Sequence, residues 1–427
     1  MKIHVLGAAR EVGRSLMVVE TEGKKIALDS GIKVKDQDME VTGLPKLTTN
    51  IKIDAALIGH AHLDHSGFAP ELYRRYHTPF FMTLPTHGLA DLLIKDAKKV
   101  DPQLPYERED IEGTFNRTII VPYEMEHSIG SVKFTYYDAG HIPGSAMMEI
   151  KTEKKKIFYT SDFKINNTRL LNGAKIPEEQ YDALIIESTY AKRYHPPRKE
   201  TEKKIINIIK KTLNEGGHVL FPTFAVGRTQ ELVMVLTDYQ INAPIYIDGM
   251  GIAASDIILS YPRYISNPGK LANAFERITP VGKNKREPLK EPSIIIATSG
   301  MLEGGPAISY LLALDKLKRE ENIDSSVIFT GYCVEGTGGW LLQNKQMIKL
   351  KPRKEGEKTK DIPINLNVFY EPLSAHAGRN ELFEFIEKTN PDKVICVHGD
   401  DCPGFAEELK ENGFNAIAPE LGDVISI

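Results

Sequence analysis

Cysteine is scarce in this chain, three residues in 427. Cys333, Cys396 and Cys402 are odd in number and lack a Cys-x-x-Cys spacing. That excludes a disulfide framework and points to buried thiols in a reducing compartment. Long apolar runs are missing too. The opening MKIHVLGAAREVGR has too short an apolar stretch for a signal peptide, and no run approaches membrane-spanning length. A cytoplasmic protein with no membrane partner is expected. Charge of one sign is also lacking: the formal net charge is −4 and the pI near 6.3. This argues against a uniformly basic, nucleic-acid-coating protein, so a polyanion would have to be captured by a local groove or by bound metal. No low-complexity tract or internal repeat is evident. At this length one compact core is too small a container, and two domains are expected.

What the chain does have is a dense run of metal-ligand residue types. His60-Ala61-His62-Leu63-Asp64-His65 places four candidate ligands in six positions, in a chain with 12 histidines. Imidazole nitrogens and carboxylate oxygens suit Zn²⁺, and neighbouring ligands on one tight loop can serve two adjacent ions. A metallohydrolase is the first expectation. His4, His77, His127 and His218 lie outside every motif and read as structural or surface residues.

The run sits on a loop that leaves a strand. Strand-like segments read at Lys2–Gly7, Ser15–Glu20, Lys25–Asp29 and Ala55–Gly59, then at Val132–Tyr137, Met147–Lys151 and Lys155–Thr160. Helices read at Gly67–Tyr76 and Gly88–Val100. From about Lys203 helix and strand alternate, with strands at Val219–Pro222, Ile245–Asp248, Ser293–Ala297 and Val327–Thr330. That alternation predicts an α/β layer with a parallel sheet. Lys345–Lys360 reads as a charged connection, and Asn365–Tyr370 and Lys393–Val397 as later strands. Further candidate ligands end predicted strands: His141, Asp162 and His398, with Asp29 placed to buttress the histidine loop. Ligand types thus occur up to Asp162 and again from His376, with a ligand-poor α/β segment between. One domain interrupted by another is expected, as residues 1–190 and 360–427 around an insert at 191–359, with the site in the cleft.

These strings resemble the metallo-β-lactamase fold. With the insert they are similar to its β-CASP nuclease branch, in particular to archaeal homologues of the cleavage and polyadenylation specificity factor nuclease subunit. The carrying motifs are Gly7-Ala8-Ala9-Arg10-Glu11-Val12-Gly13-Arg14-Ser15, the HAHLDH run, Glu187-Ser188-Thr189-Tyr190 and Phe221–Arg228. Thr298-Ser299-Gly300-Met301, Ser374-Ala375-His376 and Val397-His398-Gly399 complete the set. The resemblance implies an αββα fold interrupted by an α/β insert. It implies two zinc ions per chain, one on His60, His62 and His141, the other on Asp64, His65 and His398, bridged by Asp162. It further implies hydrolysis of RNA to 5′-phosphate and 3′-hydroxyl ends, with His376 as general acid oriented by Glu187, and Asp64 serving the reaction as well as the metal. His398 stands where DNA-repair members generally carry Val, which favours single-stranded RNA over DNA.

Phosphate positioning falls to Thr298, Ser299, Gly300 and Gly331 after buried strands, with Arg228 and Arg14 as charge partners, each equally readable as turn chemistry. His195 and Ser188-Thr189-Tyr190 are placed to shape the domain junction. Where relatives often carry a basic residue, this chain has Gly338-Gly339-Trp340, whose indole either stacks a base or fills the core. Some archaeal relatives carry N-terminal KH-type RNA-binding domains. Here the catalytic fold starts at Met1, so RNA is expected to be gripped without them. Homodimerisation or membership of an RNA-processing complex stays open, as does the choice between endonuclease and 5′→3′ exonuclease. The competing readings are a DNA nuclease, a small-molecule hydrolase, and a non-catalytic or partner-dependent RNA-binding subunit of a 3′-end processing complex.

Overall fold

Short strands, many of them buried along their whole length, and helices alternate in the computed structural model, which describes residues 1–33, 43–47, 51–282, 284–350 and 359–427. The described chain divides into two compact units. One comprises Met1–Val34, Val41–Tyr194 and Ala375–Ile427, and the other is built on His195–Ser374.

The first unit contains two seven-stranded sheets. In one the order runs Val424–Ser426, Lys2–Val5, Met17–Thr21, Lys24–Leu28, Ala55–Leu57, Phe80–Met82, Thr118–Ile120. In the other it runs Ala416–Ile417, Val394–Val397, Ala183–Glu187, Lys156–Tyr159, Ala146–Lys151, Val132–Asp138, Glu126–Ile129. Alternate residues point to opposite faces of a strand. Ile157, Tyr159, Ala183 and Ile185 therefore join Ile3, Val19, Ile26 and Leu57 in a core fed by both sheets. Phe158, Leu184 and Ile186 emerge on the other face, against Leu382, Phe385 and Ile386 of helix Arg379–Thr389 and Phe405 and Leu409 of helix Cys402–Glu411. Strands covered on both faces read as continuous apolar runs, which is how ALIIE and VICV look.

The second unit holds a six-stranded sheet ordered Thr279–Pro280, Ile245–Asp248, Ile294–Ala297, Val219–Pro222, Ser326–Phe329, Asn367–Tyr370, and every pairing in it is parallel. Its two faces alternate in the same way. Phe221, Ile247, Ile296 and Ile328 meet helices Arg198–Asn214 and Arg228–Asp238, while Leu220, Ile295, Val327 and Phe329 meet helix Pro306–Glu321. Trp340 packs, partly buried, on this second cluster, with Lys345 Nζ 5.5 Å from its ring centre.

Two expectations differ. Asn367–Tyr370, placed by sequence with residues 360–427 of the first domain, pairs with Ser326–Phe329 and so extends the sheet of the second unit. Lys345–Lys360 is not simply a connection either. Met347–Leu350 pairs antiparallel with Lys360–Pro363, a short strand hidden among the flanking charged residues. Residues 351–358 of that stretch lie outside those described. Among the described residues no helix is long and apolar enough to cross a membrane.

Candidate metal centre

In the first unit, strand ends deliver the polar residues. Lys24–Leu28 and Ala55–Leu57 run parallel, as do Lys156–Tyr159, Ala183–Glu187 and Val394–Val397. Their carboxyl ends therefore fall on common sheet edges; Glu187 ends its strand, the segments that follow the others carry Asp29, His60, His62, Ser161-Asp162 and His398, and Asp64 and His65 sit in the short helix Leu63–Ser66. Asp29, Ser161 and His398 turn there through φ of 59°, 47° and 50°. Left-handed backbone costs a non-glycine residue on the order of 1 kcal/mol or more and persists where surroundings hold it. The holding bonds are visible. His398 donates its amide to the Ala8 carbonyl and accepts from the Ser188 amide, while the Asp29 side chain has no solvent exposure.

Three imidazoles form the first ligand set. His62 Nδ1 lies 3.2 Å from His60 Nε2 and 3.2 Å from His141 Nε2. Ligands at Zn–N distances in a tetrahedron stand about 3.3 Å apart, so this spacing suits a metal. The His141 Nδ1 donates to the Ala375 carbonyl at 2.9 Å, which turns Nε2 inward. A second set comprises Asp64, His65, Asp162 and His398. Its His65 Nε2 is 3.3 Å from Asp162 Oδ2, and its His398 Nε2 is 3.4 Å from Asp64 Oδ2. Asp162 Oδ2 also lies 3.6 Å from His60 Nε2, which sets this carboxylate between the two sets. The donor atoms fit divalent ions: His65 Nε2, His398 Nε2 and Asp162 Oδ1 are buried and make no hydrogen bond. Buried polar atoms normally find partners, and an ion would supply them.

Electrostatics separate the two sets. Burial, followed by the neighbouring His65 and His141, holds His60 well below the usual imidazole range. Burial likewise lowers His62 and His141. These rings are neutral, as a metal ligand must be. Burial also opposes charge on His65, but Asp162, Asp29 and Asp64 outweigh it and raise that ring well above the usual range. Asp162 is held far below the carboxylate range by His398 and His65 despite its burial.

Beside the centre, His376 Nδ1 is 3.1 Å from Glu187 Oε2 and 3.8 Å from Asp162 Oδ2. Glu187 is 1% exposed and accepts the Phe163 amide at 3.0 Å, so its carboxylate is fixed from the backbone side. Burial pulls the His376 ring down, yet Glu187 and Asp162 prevail and raise it to about 9.

The remaining sequence candidates belong elsewhere. Thr298, Ser299, Gly300, Gly331 and Arg228 lie in the second unit. There the Thr298 amide donates to the Asp248 carbonyl, the Ser299 amide to Gly304, and Ser299 Oγ accepts the Glu303 amide, so these groups brace their own turn. Added Cβ atoms on Gly300 and Gly331 would meet Phe224 at 3.0 and 3.3 Å. The Arg228 guanidinium, 9% exposed, donates to the Leu373 carbonyl. In the first unit Arg14 is bound by Glu11 at 2.6 Å and donates to the Leu44 carbonyl. Cys333, Cys396 and Cys402 are free and buried, with no disulfide recorded among the described residues.

Two residues near the ligands, Tyr159 and Ser161, escaped the sequence reading, and Thr189 was read for another role. Thr189 Oγ1 is 3.3 Å from His398 Nδ1, and Tyr159 and Ser161 both donate to Asp29 Oδ2, at 2.7 and 2.9 Å. Ser161 stands beside Asp162, but nothing in its spacing marks a role with Asp29, 132 positions away.

Comparison with known proteins gives three matches to family models. Residues 18–189 match a metallo-beta-lactamase superfamily domain, residues 229–342 a Beta-Casp domain, and residues 361–419 a Zn-dependent metallo-hydrolase RNA specificity domain. Among curated relatives, "Probable RNase MJ4" of Methanocaldococcus jannaschii is 35% identical over the whole of both chains. "Transcription termination factor FttA" of the same organism is 37% identical over 96% of this chain and 69% of its own length. "RNase aCSPSF2" of Saccharolobus solfataricus is 32% identical over all of this chain and 85% of its own. A solved structure of a protein of unknown function from Enterococcus faecalis V583 aligns with a TM-score of 0.62 over 99% of each chain at 13% identity, a likeness of fold alone.

Proposed function

The chain belongs to the β-CASP branch of the metallo-β-lactamase superfamily, with the archaeal ribonucleases related to the cleavage and polyadenylation specificity factor, and from that premise we propose that it is a zinc-dependent ribonuclease. It is an RNA-processing metal-dependent hydrolase, and the finer reading is hydrolysis of single-stranded RNA to 5′-phosphate and 3′-hydroxyl ends. The observation that carries this reading is the Asp162 carboxylate set between two convergent ligand groups, whose inward His65 and His398 nitrogens lack hydrogen bonds.

We assign one ion to His60, His62 and His141 and the other to Asp64, His65 and His398, with Asp162 shared. Two divalent ions there would supply a nucleophilic water at neutral pH and a positive field for a phosphate oxygen. The protein's own residues do the rest. Expulsion of a ribose 3′ oxygen needs a proton, because an alkoxide is a poor leaving group. His376 is the donor: Glu187 takes Nδ1, and Nε2 passes its proton to the departing oxygen. A ring raised to about 9 is protonated at neutral pH, and neighbouring cations would draw that value down toward neutrality. Asp64 contributes as a ligand carboxylate, held ionised by His65 and His398 against its burial. His398, by the family pattern, directs the preference to RNA over DNA. We assign residues 1–190 and 375–427 to the lactamase-type domain and the intervening segment, Asn367–Tyr370 included, to the β-CASP insert.

Incubating zinc-loaded protein with single-stranded RNA labelled at the 5′ or the 3′ end tests the reading. Cleavage that stops on chelation and returns on adding Zn²⁺ is expected. Mononucleotide released from the 5′ label marks an exonuclease, and internal fragments from both labels mark an endonuclease. RNA left intact by protein carrying two ions would favour the RNA-binding-subunit reading instead.

A further inference from the structure

Asp29 accepts more hydrogen bonds than an ordinary buried carboxylate. Its Oδ1 takes the Gly59 amide at 2.6 Å. Its Oδ2 takes His65 Nδ1 at 2.7 Å, the Tyr159 hydroxyl at 2.7 Å and Ser161 Oγ at 2.9 Å. Ser161 reaches further. Its oxygen is 3.2 Å from His65 Nδ1 and 3.3 Å from His60 Nδ1, so one hydroxyl touches a ring from each ligand set. The approach is tight: a Cβ on Gly59 would lie 2.5 Å from Ser161 Oγ, and glycine is what the backbone requires there.

A serine hydroxyl has a single proton to give. Two acceptors stand within reach of this one: Asp29 Oδ2, and Nδ1 of His60 whenever that ring carries its proton on Nε2. His65 Nδ1 is no acceptor, because it donates to the Asp29 carboxylate. A metal on His60 Nε2 would place that ring's proton on Nδ1, which would donate to Ser161 Oγ and leave the hydroxyl to Asp29 Oδ2, the oxygen that orients His65. The proton order set at one ligand set thus reaches the other, and such coupling is reciprocal.

We propose that Ser161 is a positioning residue that couples the two metal sites, through a His60–Ser161–Asp29–His65 hydrogen-bond chain anchored by Tyr159. The inference rests on the two-ion reading above and adds to it a defined order among protons. It also assigns Tyr159 a part: touching Asp29 from the far side, it holds the carboxylate in line with His65.

The test is titration of metal-stripped full-length protein with Zn²⁺ against a chromophoric chelator, with Ser161→Ala, Ser161→Gly and Tyr159→Phe alongside. Glycine suits the φ of 47° at this position and removes the hydroxyl without backbone strain, so one of the two serine variants folds even where alanine does not. In the wild type the second ion is expected to bind on the order of 10-fold tighter than the first after statistical correction. Both serine variants should still take two ions, but with the coupling reduced to what the shared Asp162 carries and with affinity lowered about 10- to 100-fold. Tyr159→Phe should weaken binding while keeping the coupling. Two ions bound independently by the wild type, or coupling undiminished in both serine variants, overturns the proposal alone. Fewer than two ions in the wild type overturns it together with the functional reading.

Discussion

Two strand ends, one in each unit, handle a buried carboxylate in opposite ways. In the second unit Asp248 ends a parallel strand, and its carboxylate is closed by Lys285 at 2.7 Å and Tyr310 at 2.9 Å. The turn from Thr298 onward is braced by its own carbonyls and hydroxyl. In the first unit His65, His398 and Asp162 keep buried atoms without hydrogen bonds, on left-handed or tightly held turns. An unmade buried hydrogen bond costs about 1–3 kcal/mol. A fold that leaves several together reserves them for a ligand, whereas a fold that closes them internally is building scaffold.

The contrast can be broken by mutation, most severely at the shared carboxylate. Asp162→Ala should strip metal from both sets and abolish detectable cleavage, read by metal analysis and RNA hydrolysis on one preparation. Retention of both ions would contradict the shared role. Glu187→Gln should cut the rate by about 10- to 100-fold, within the range of general acid catalysis, and reshape its pH profile. The negative charge of Glu187 raises the His376 ring, so a neutral amide lets that ring lose its proton at lower pH. The alkaline fall-off should accordingly move to lower pH, and an unmoved limb would separate Glu187 from the acid. The smallest effect on chemistry belongs to the second unit. Arg228→Ala removes a charged donor to the Leu373 carbonyl and should destabilise by about 1–3 kcal/mol. Metal content should stay at the wild-type value, and denaturant melts with metal analysis read both quantities.

Legibility followed the same divide. Candidate metal ligands were readable because residue type carries the chemistry: four candidates in six positions need no three-dimensional knowledge. Strands buried on both faces were readable as apolar runs, as at Val219–Pro222 and Ile245–Asp248. Phe80–Met82 and Thr118–Ile120 were not, since three residues are too few to display a period. Met347–Leu350 was hidden by the charged residues that flank it. The Asp29–Ser161–Tyr159 association lay beyond sequence because Asp29 is 130 or more positions from the other two, and each passes for a turn or core residue. Arg228 shows the converse ambiguity: its charge suggests phosphate or turn chemistry in sequence, and in the fold its guanidinium donates to the Leu373 carbonyl.

The most direct test compares metal content and RNA cleavage in wild type and His376→Ala. Two ions per chain in both proteins, with the variant slower by about 10²- to 10⁴-fold, is the predicted result. Cleavage at the wild-type rate by His376→Ala carrying both ions would contradict the account.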